Sequence, residues 1–149
     1  MKTLILGLGN PILSDDGVGI KIARGIKERR PEVEVVETCE AGIALLDHMA
    51  GYDKLVIIDS IKTGQGKPGE LYKVEPEGFK PATDLSLSHG VDIATAFEVG
   101  ERLGCGMPQA VSIYAVEVKD NLTFAEECTE TIEKRIPLIT KQIIEEEKL

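Results

Sequence analysis

Residues Leu4-Ile-Leu-Gly-Leu8 form an unbroken apolar run, and the turn and acidic pair just after it leave the chain few structural options. The run reads as a buried strand, and it ends in a turn built from Gly7, Gly9, Asn10 and Pro11. A carboxylate pair, Asp15-Asp16, then stands just ahead of a segment carrying Val18, Ile22 and Ile26 at four-residue spacing, the pattern of an amphipathic helix. Strand, tight turn and helix start in immediate succession put those carboxylates at the carboxyl edge of a sheet. In α/β proteins that edge is where chemistry is usually kept.

The same alternation continues along the chain. Strand-like runs are expected at 3–8, 33–38, 54–59, 70–75 and 110–117, and helices at 16–29, 42–50, 90–103 and about 124–147. Runs such as Leu55-Val-Ile-Ile58 are apolar on both faces, which implies helices covering both sides of a mostly parallel sheet. The connection from 59 to 70 is short and glycine-rich, too short for a helical crossover, so the strand at 70–75 is expected to be antiparallel and at an edge. The fold class predicted is a three-layer α/β architecture, with a twisted, mostly parallel five-stranded sheet, in one domain spanning 1–149. For the last helix, Thr123 and Glu126 suggest a capping box. Phe124, Cys128, Ile132, Ile136, Ile139 and Ile143 suggest one apolar stripe, and Pro137 inside it a kink or break.

Composition removes several classes of function. A net charge of −9, with basic residues adjacent only as Arg29-Arg30 and Lys134-Arg135, argues against a nucleic-acid partner, because phosphate binding needs clustered Lys and Arg. No apolar stretch approaches the ~18 residues of a membrane span. Met1-Lys2-Thr3 runs directly into strand-like sequence with no cleavage-site pattern, so a cytoplasmic protein without membrane contact is expected. Cys39, Cys105 and Cys128 are odd in number and share no CxxC spacing, which fits reduced thiols better than a disulfide framework or a zinc site.

Three residues stand out as candidates for chemistry. Asp16 follows the first strand, Asp59 follows the apolar run of the third, and His89 sits in Leu87-Ser-His-Gly90 just before a helix. Each has an ordinary explanation when taken alone. Asp16 at a helix start gains about 0.3–1 kcal/mol from exposed amides and the helix dipole. Asp59 can bond turn amides, and His89 can be a satisfied loop residue. The other histidine, His48, falls within a predicted helix beside Asp47 and reads as a surface residue. Taken together, the three converge on one sheet edge. Two carboxylates about 4 Å apart repel by roughly 4 kcal/mol at an effective dielectric of 20, so a proton or cation between them is required. With an imidazole added, the set has the donors of an open site for a borderline transition metal. Gly7-Leu-Gly9 begins like a dinucleotide fingerprint, but Ile12 stands where GxGxxG needs glycine.

The chain resembles the hydrogenase maturation endopeptidases, whose fold is phosphorylase/hydrolase-like. The resemblance is carried by Gly7-Leu-Gly-Asn10 with Asp15-Asp-Gly-Val-Gly19, by Ile57-Ile-Asp59, by Pro68-Gly69 before a strand, and by Ser88-His89. It implies an endopeptidase that removes a C-terminal extension from the large-subunit precursor of a nickel-iron hydrogenase after nickel insertion. It also implies that Asp16, Asp59 and His89 are both the metal-contacting and the catalytic residues. The nickel would arrive on the precursor, and cadmium or zinc would be able to replace it in vitro. Either that metal polarises the scissile carbonyl or a carboxylate, Asp16 by preference, activates water. Family members commonly carry a Gly-Gly-Thr-like turn after the second strand, whereas this chain has Thr38-Cys-Glu-Ala-Gly42. Two other readings stay open: a precursor- or metal-binding chaperone without cleavage, and a nucleotide-binding domain. A monomer is expected.

Overall fold

The computed structural model describes residues 1–40, 42–74 and 90–149, without the side chains of Gly42 and 90–92. Five strands build one sheet: β1 (Thr3–Leu8), β2 (Glu34–Thr38), β3 (Lys54–Ile61), β4 (Leu71–Val74) and β5 (Ala110–Glu117). Their order is β2-β1-β3-β5-β4, with every neighbouring pair parallel except β4 against β5. The antiparallel edge strand expected from the short 59–70 connection is therefore present. The described α-helices are α1 (Val18–Arg29), α2 (Leu46–Met49), α3 (Gly90–Arg102) and α4 (Glu130–Glu147).

Successive side chains of a strand point to opposite faces, and the core divides accordingly. Ile5, Val56, Ile58, Tyr114 and Val116 face one layer with Ile22 and Ile26 of α1 and Ile132, Ile139 and Ile143 of α4. Leu4, Leu6, Leu8, Leu55, Ile57 and Ile113 face the other with Leu45, Met49 of α2, and Ile93 and Ala96 of α3. The three-layer expectation holds, and the residues that alternate between layers are the ones that read as continuous apolar runs.

Several expected boundaries are corrected. The helix expected over 16–29 starts at Val18, and Asp16 lies instead in a 3-10 turn, Ser14–Gly17. The segment at 42–50 is a 3-10 turn, Gly42–Leu45, followed by the single helical turn of α2. The last helix begins at Glu130, with Thr129 as its N-cap, so the capping box at Thr123 and Glu126 is absent. The Thr123 hydroxyl donates to Asp120 at 2.5 Å, which turns the chain away from a helix there. Phe124 is 82% exposed and does not belong to the apolar stripe. Pro137 does not break α4, which runs on to Glu147. The cost of its missing donor, about 3 kcal/mol in an exposed helix, is offset here by burial of Ile132, Ile139 and Ile143 on either side of it.

Candidate active site

The strand order reverses beside β1: the chain passes from β1 outward to β2, then returns to place β3 on β1's other side. Such a switch point opens a crevice beyond the strand carboxyl ends. The last β1–β3 pair is Gly7 with Ile58, while β3 stays paired with β5 for three residues more, through Ile61. Asp59, expected to end the third strand, is thus inside it, at the first position where β3 projects past β1. It is fully buried, and its Oδ1 accepts the Ser60 amide at 2.7 Å.

Asp16 reaches the same place from the β1 side. Its Oδ2 accepts the Asn10 amide at 2.8 Å, and its Oδ1 accepts the Ser60 hydroxyl at 3.1 Å. Ser60 therefore contacts both carboxylates, one through its hydroxyl and one through its amide. The turn that achieves this depends on close backbone approach. Gly9 has φ +144, and a Cβ there would stand 2.1 Å from the Asp16 carbonyl oxygen. A Cβ on Gly19 would stand 2.3 Å from the Ile58 carbonyl oxygen, so α1 begins flush against the end of β3. The glycines of the first motif let the turn pack closely on the sheet edge.

Asp15, one residue before Asp16, has a different task. It is fully buried and accepts the amides of Lys119 (3.1 Å), Asp120 (3.0 Å) and Thr129 (2.6 Å) together with the Thr129 hydroxyl (3.0 Å). Those donors come from the segment between β5 and α4. Backbone bonds reinforce the join, from Ser14 to Ala125 (2.9 Å), Asp15 to Asp120 (2.9 Å) and Ala125 to Ile12 (3.0 Å). Within the same segment, the Thr123 hydroxyl and the Leu122 and Thr123 amides donate to Asp120 and hold its carboxyl down at about 2. Residues 118–129 thus form a strap fastened across the Asp16 turn.

Neighbouring groups close the edge. Glu117, at the end of β5, is buried and accepts from the Thr63 amide at 2.8 Å, the Thr63 hydroxyl and the Tyr72 hydroxyl. Burial alone would raise its carboxyl, but the Thr63 and Tyr72 donors outweigh that and hold it below the ordinary 4.5. On the other side, Glu40 follows β2 and lies 3.0 Å from Nε2 of His48, which is therefore a partly buried partner and not a free surface ring. Among the cysteines, Cys128 is buried and its thiol is pushed up to about 12 by desolvation, which makes it inert as a nucleophile. A groove of about 780 Å³ lined by Phe97, Glu101, Met107 and Val111 involves none of the residues described at this edge.

Two of the three expected site residues, Asp16 and Asp59, are brought together. The third, His89, lies outside the described residues, and among the described residues no group of three His, Cys, Asp or Glu side chains is placed to hold a metal. Sequence reading missed Ser60 and Asn10 as partners of the carboxylates and missed the binding of Asp15 by the strap. Ser60 could have been suspected, since it is the polar residue directly after Asp59.

The family model for hydrogenase maturation proteases (HycI) matches residues 20–146. The chain belongs to the hydrogenase maturation protease family. The matched span contains Asp59 and His89 and begins four residues past Asp16. Hydrogenase 2 maturation protease of Escherichia coli K12 is 35% identical over 80 residues, covering 52% of this chain and 49% of that protein. The hydrogenase expression/formation protein HoxM of Cupriavidus necator is 31% identical over 88 residues, covering 55% and 43%. The chain therefore spans about half the length of the curated relatives it matches. Likeness of structure is broader. The maturating endopeptidase HybD of E. coli superposes with a TM-score of 0.77 at 25% identity, covering 97% of this chain and 90% of that one. The NiFe hydrogenase maturation protease HybD of Thermococcus kodakarensis gives 0.74 at 26% identity, with 98% of each chain covered. Among the described residues, no helix is long and apolar enough to cross a membrane.

Proposed function

We propose that this chain is an endopeptidase that removes the C-terminal extension of a nickel-iron hydrogenase large-subunit precursor once nickel has been inserted. The observation that carries the reading is the meeting of Asp16 and Asp59 at the sheet's switch point, with Ser60 bonded to both, in a member of this family. The nickel is part of the substrate. Asp16, Asp59 and His89 would contact it in passing, so that a precursor without nickel is neither recognised nor cut, and cadmium or zinc would occupy the same donors in vitro. Two oxygens and one nitrogen leave coordination positions for the precursor's own ligands.

Asp16 is the group assigned to the proton. Unlike the fully buried Asp59 it is only half-buried, so a water can reach it, and its two bonds to Asn10 and Ser60 fix its orientation. The water oxygen adds to the scissile carbonyl while its proton passes to the Asp16 carboxylate. Collapse of the tetrahedral intermediate breaks the C–N bond, and the proton goes on to the leaving amine. Asp59, held by the Ser60 amide, supplies fixed negative charge toward the substrate's cation. One domain, acting as a monomer in the cytoplasm, is the working unit of this reading.

The test is a mass spectrum of the nickel-loaded precursor after incubation with the protein. A product shortened at its C-terminus is expected with wild type, and none with Asp16→Ala or His89→Ala in folded protein. Normal trimming by both variants would falsify the assignment, and a stable complex with unchanged precursor mass would make the chain a non-cleaving chaperone.

A further inference from the structure

The strap carries a feature that neither the carboxylates nor the packing uses. Among the described residues, three of the seven large exposed apolar side chains are Ile12 (49% exposed), Leu122 (77%) and Phe124 (82%). They lie on the Asp16 turn and on the strap bonded to it. Ala125 donates to the Ile12 carbonyl and accepts from the Ser14 amide, so the three belong to one fastened unit. Exposed apolar side chains gathered on one held backbone unit form the kind of patch that marks an interaction site.

Charge indicates what would cover them. Between Lys119 and Lys134 there is no basic residue, while Glu126, Glu127 and Glu130 follow Phe124 and are all exposed. The apolar side chains are therefore bordered by acid on the side that follows Phe124, while Lys62 acts on Asp120 at the other end of the strap. Distance ties the feature to the site. Ser14 bridges Ala125 and lies two residues from Asp16, which puts Ala125 within roughly 13 Å of Asp16, the reach of about four extended residues. A peptide lying across Asp16 would meet Phe124 within about five residues of its reacting bond.

We propose that Ile12, Leu122 and Phe124 form a docking ridge for a precursor segment bearing an apolar side chain flanked by Lys or Arg. This inference rests on the endopeptidase reading above. The ridge is already ordered by Asp15 and Asp120, so docking costs little in loop immobilisation, and the acidic border steers the basic flanks. Anchoring on one side of Asp16 fixes which bond of the extended tail lies over the carboxylate.

The experiment measures binding of the nickel-loaded large-subunit precursor to the full chain carrying Asp16→Ala, in which no cut is expected and the contacts of Asp59 and His89 remain. Adding Leu122→Ser with Phe124→Ser should weaken binding roughly tenfold or more. Both positions are exposed, so the fold is retained. Adding Glu126→Lys with Glu127→Lys should weaken binding at low salt and flatten its salt dependence. In the otherwise wild-type chain, the ridge pair should raise KM far more than it lowers kcat. Equal affinities in both pairs of variants overturn the ridge, as does a wild-type dimer in sedimentation that Phe124→Ser dissociates, since the occupant would then be a second copy. Cleavage by Asp16→Ala would instead overturn the catalytic reading, and the binding comparison would still decide the ridge.

Discussion

At the amino edge of the sheet, the Glu147 carboxylate is buried among Lys54 (3.0 Å), Lys73 (3.6 Å), the Ser112 hydroxyl (3.1 Å) and the Tyr114 hydroxyl (2.5 Å). At the carboxyl edge, Asp15 is saturated by amides and a hydroxyl, whereas Asp16 is half-buried with one amide and one hydroxyl. Glu147 is neutralised by cations and finished as a structural group. Burial alone would raise its carboxyl, but the Tyr114 and Lys54 donors hold it below the ordinary 4.5. Desolvation and the Glu147 carboxylate together drive the Tyr114 phenol upward. At the carboxyl edge Asp16 is oriented by an amide and a hydroxyl, neither of which carries charge, and this suits a site receiving a cationic substrate group. The neighbours Asp15 and Asp16 split these two roles between them within a single turn.

The comparison breaks most decisively if activity and stability fail to separate. Asp16→Ala should lower the cleavage rate by roughly 10²–10⁴-fold, the usual worth of a proton-transfer group, with little change in Tm. Lys54→Ala should do the opposite, leaving Glu147 buried without its nearest cation and costing roughly 3 kcal/mol in a denaturant titration while cleavage continues. Similar activity losses in both would erase the distinction between the edges.

Asp15→Asn sharpens the contrast between neighbours. An amide cannot accept from three N–H groups and a hydroxyl as a carboxylate does, so about 1–3 kcal/mol of stability should be lost. Amide exchange should quicken first over residues 118–129. Unchanged protection there would mean that the strap is held by its backbone bonds alone.

A smaller effect concerns pH. The folded-state pKa of Glu117 is lowered, so its contribution to stability is complete above its ordinary value near 4.5 and is lost as pH falls through the folded value. Melting curves between pH 7 and pH 3 should therefore show wild type losing Tm faster below about 4.5 than Glu117→Gln. Parallel curves would remove Glu117 from the acid response. Least of all is expected of the exposed pair Arg102 and Glu98, 2.8 Å apart one helical turn from each other, worth about 0.3–0.5 kcal/mol.

Much of the fold was legible because it rests on local patterns. Leu4–Leu8 and Leu55–Ile58 announce buried parallel strands, and the short glycine-rich connection before Leu71 forces a reversal of direction. The start of the last helix was misread because Thr123 and Glu126 carry a genuine capping signature. The tertiary bond that the Thr129 amide donates to Asp15, with the local one that the Cys128 amide donates to Glu133, sets the boundary elsewhere. Asp16 and Asp59 were legible as candidates through their position after strands. Ser60 and the strap were not, since their significance lies in contacts 44 and 114 residues apart.

The sequence by itself determined the layered architecture, the edge strand and which acids follow which strands, because periodicity and turn chemistry act over a few residues. Tertiary structure alone decided that Asp15 would be committed to a strap and Asp16 left facing the crevice. The two side chains are chemically identical and adjacent, so only the donors that folding brings within hydrogen-bond reach can tell them apart.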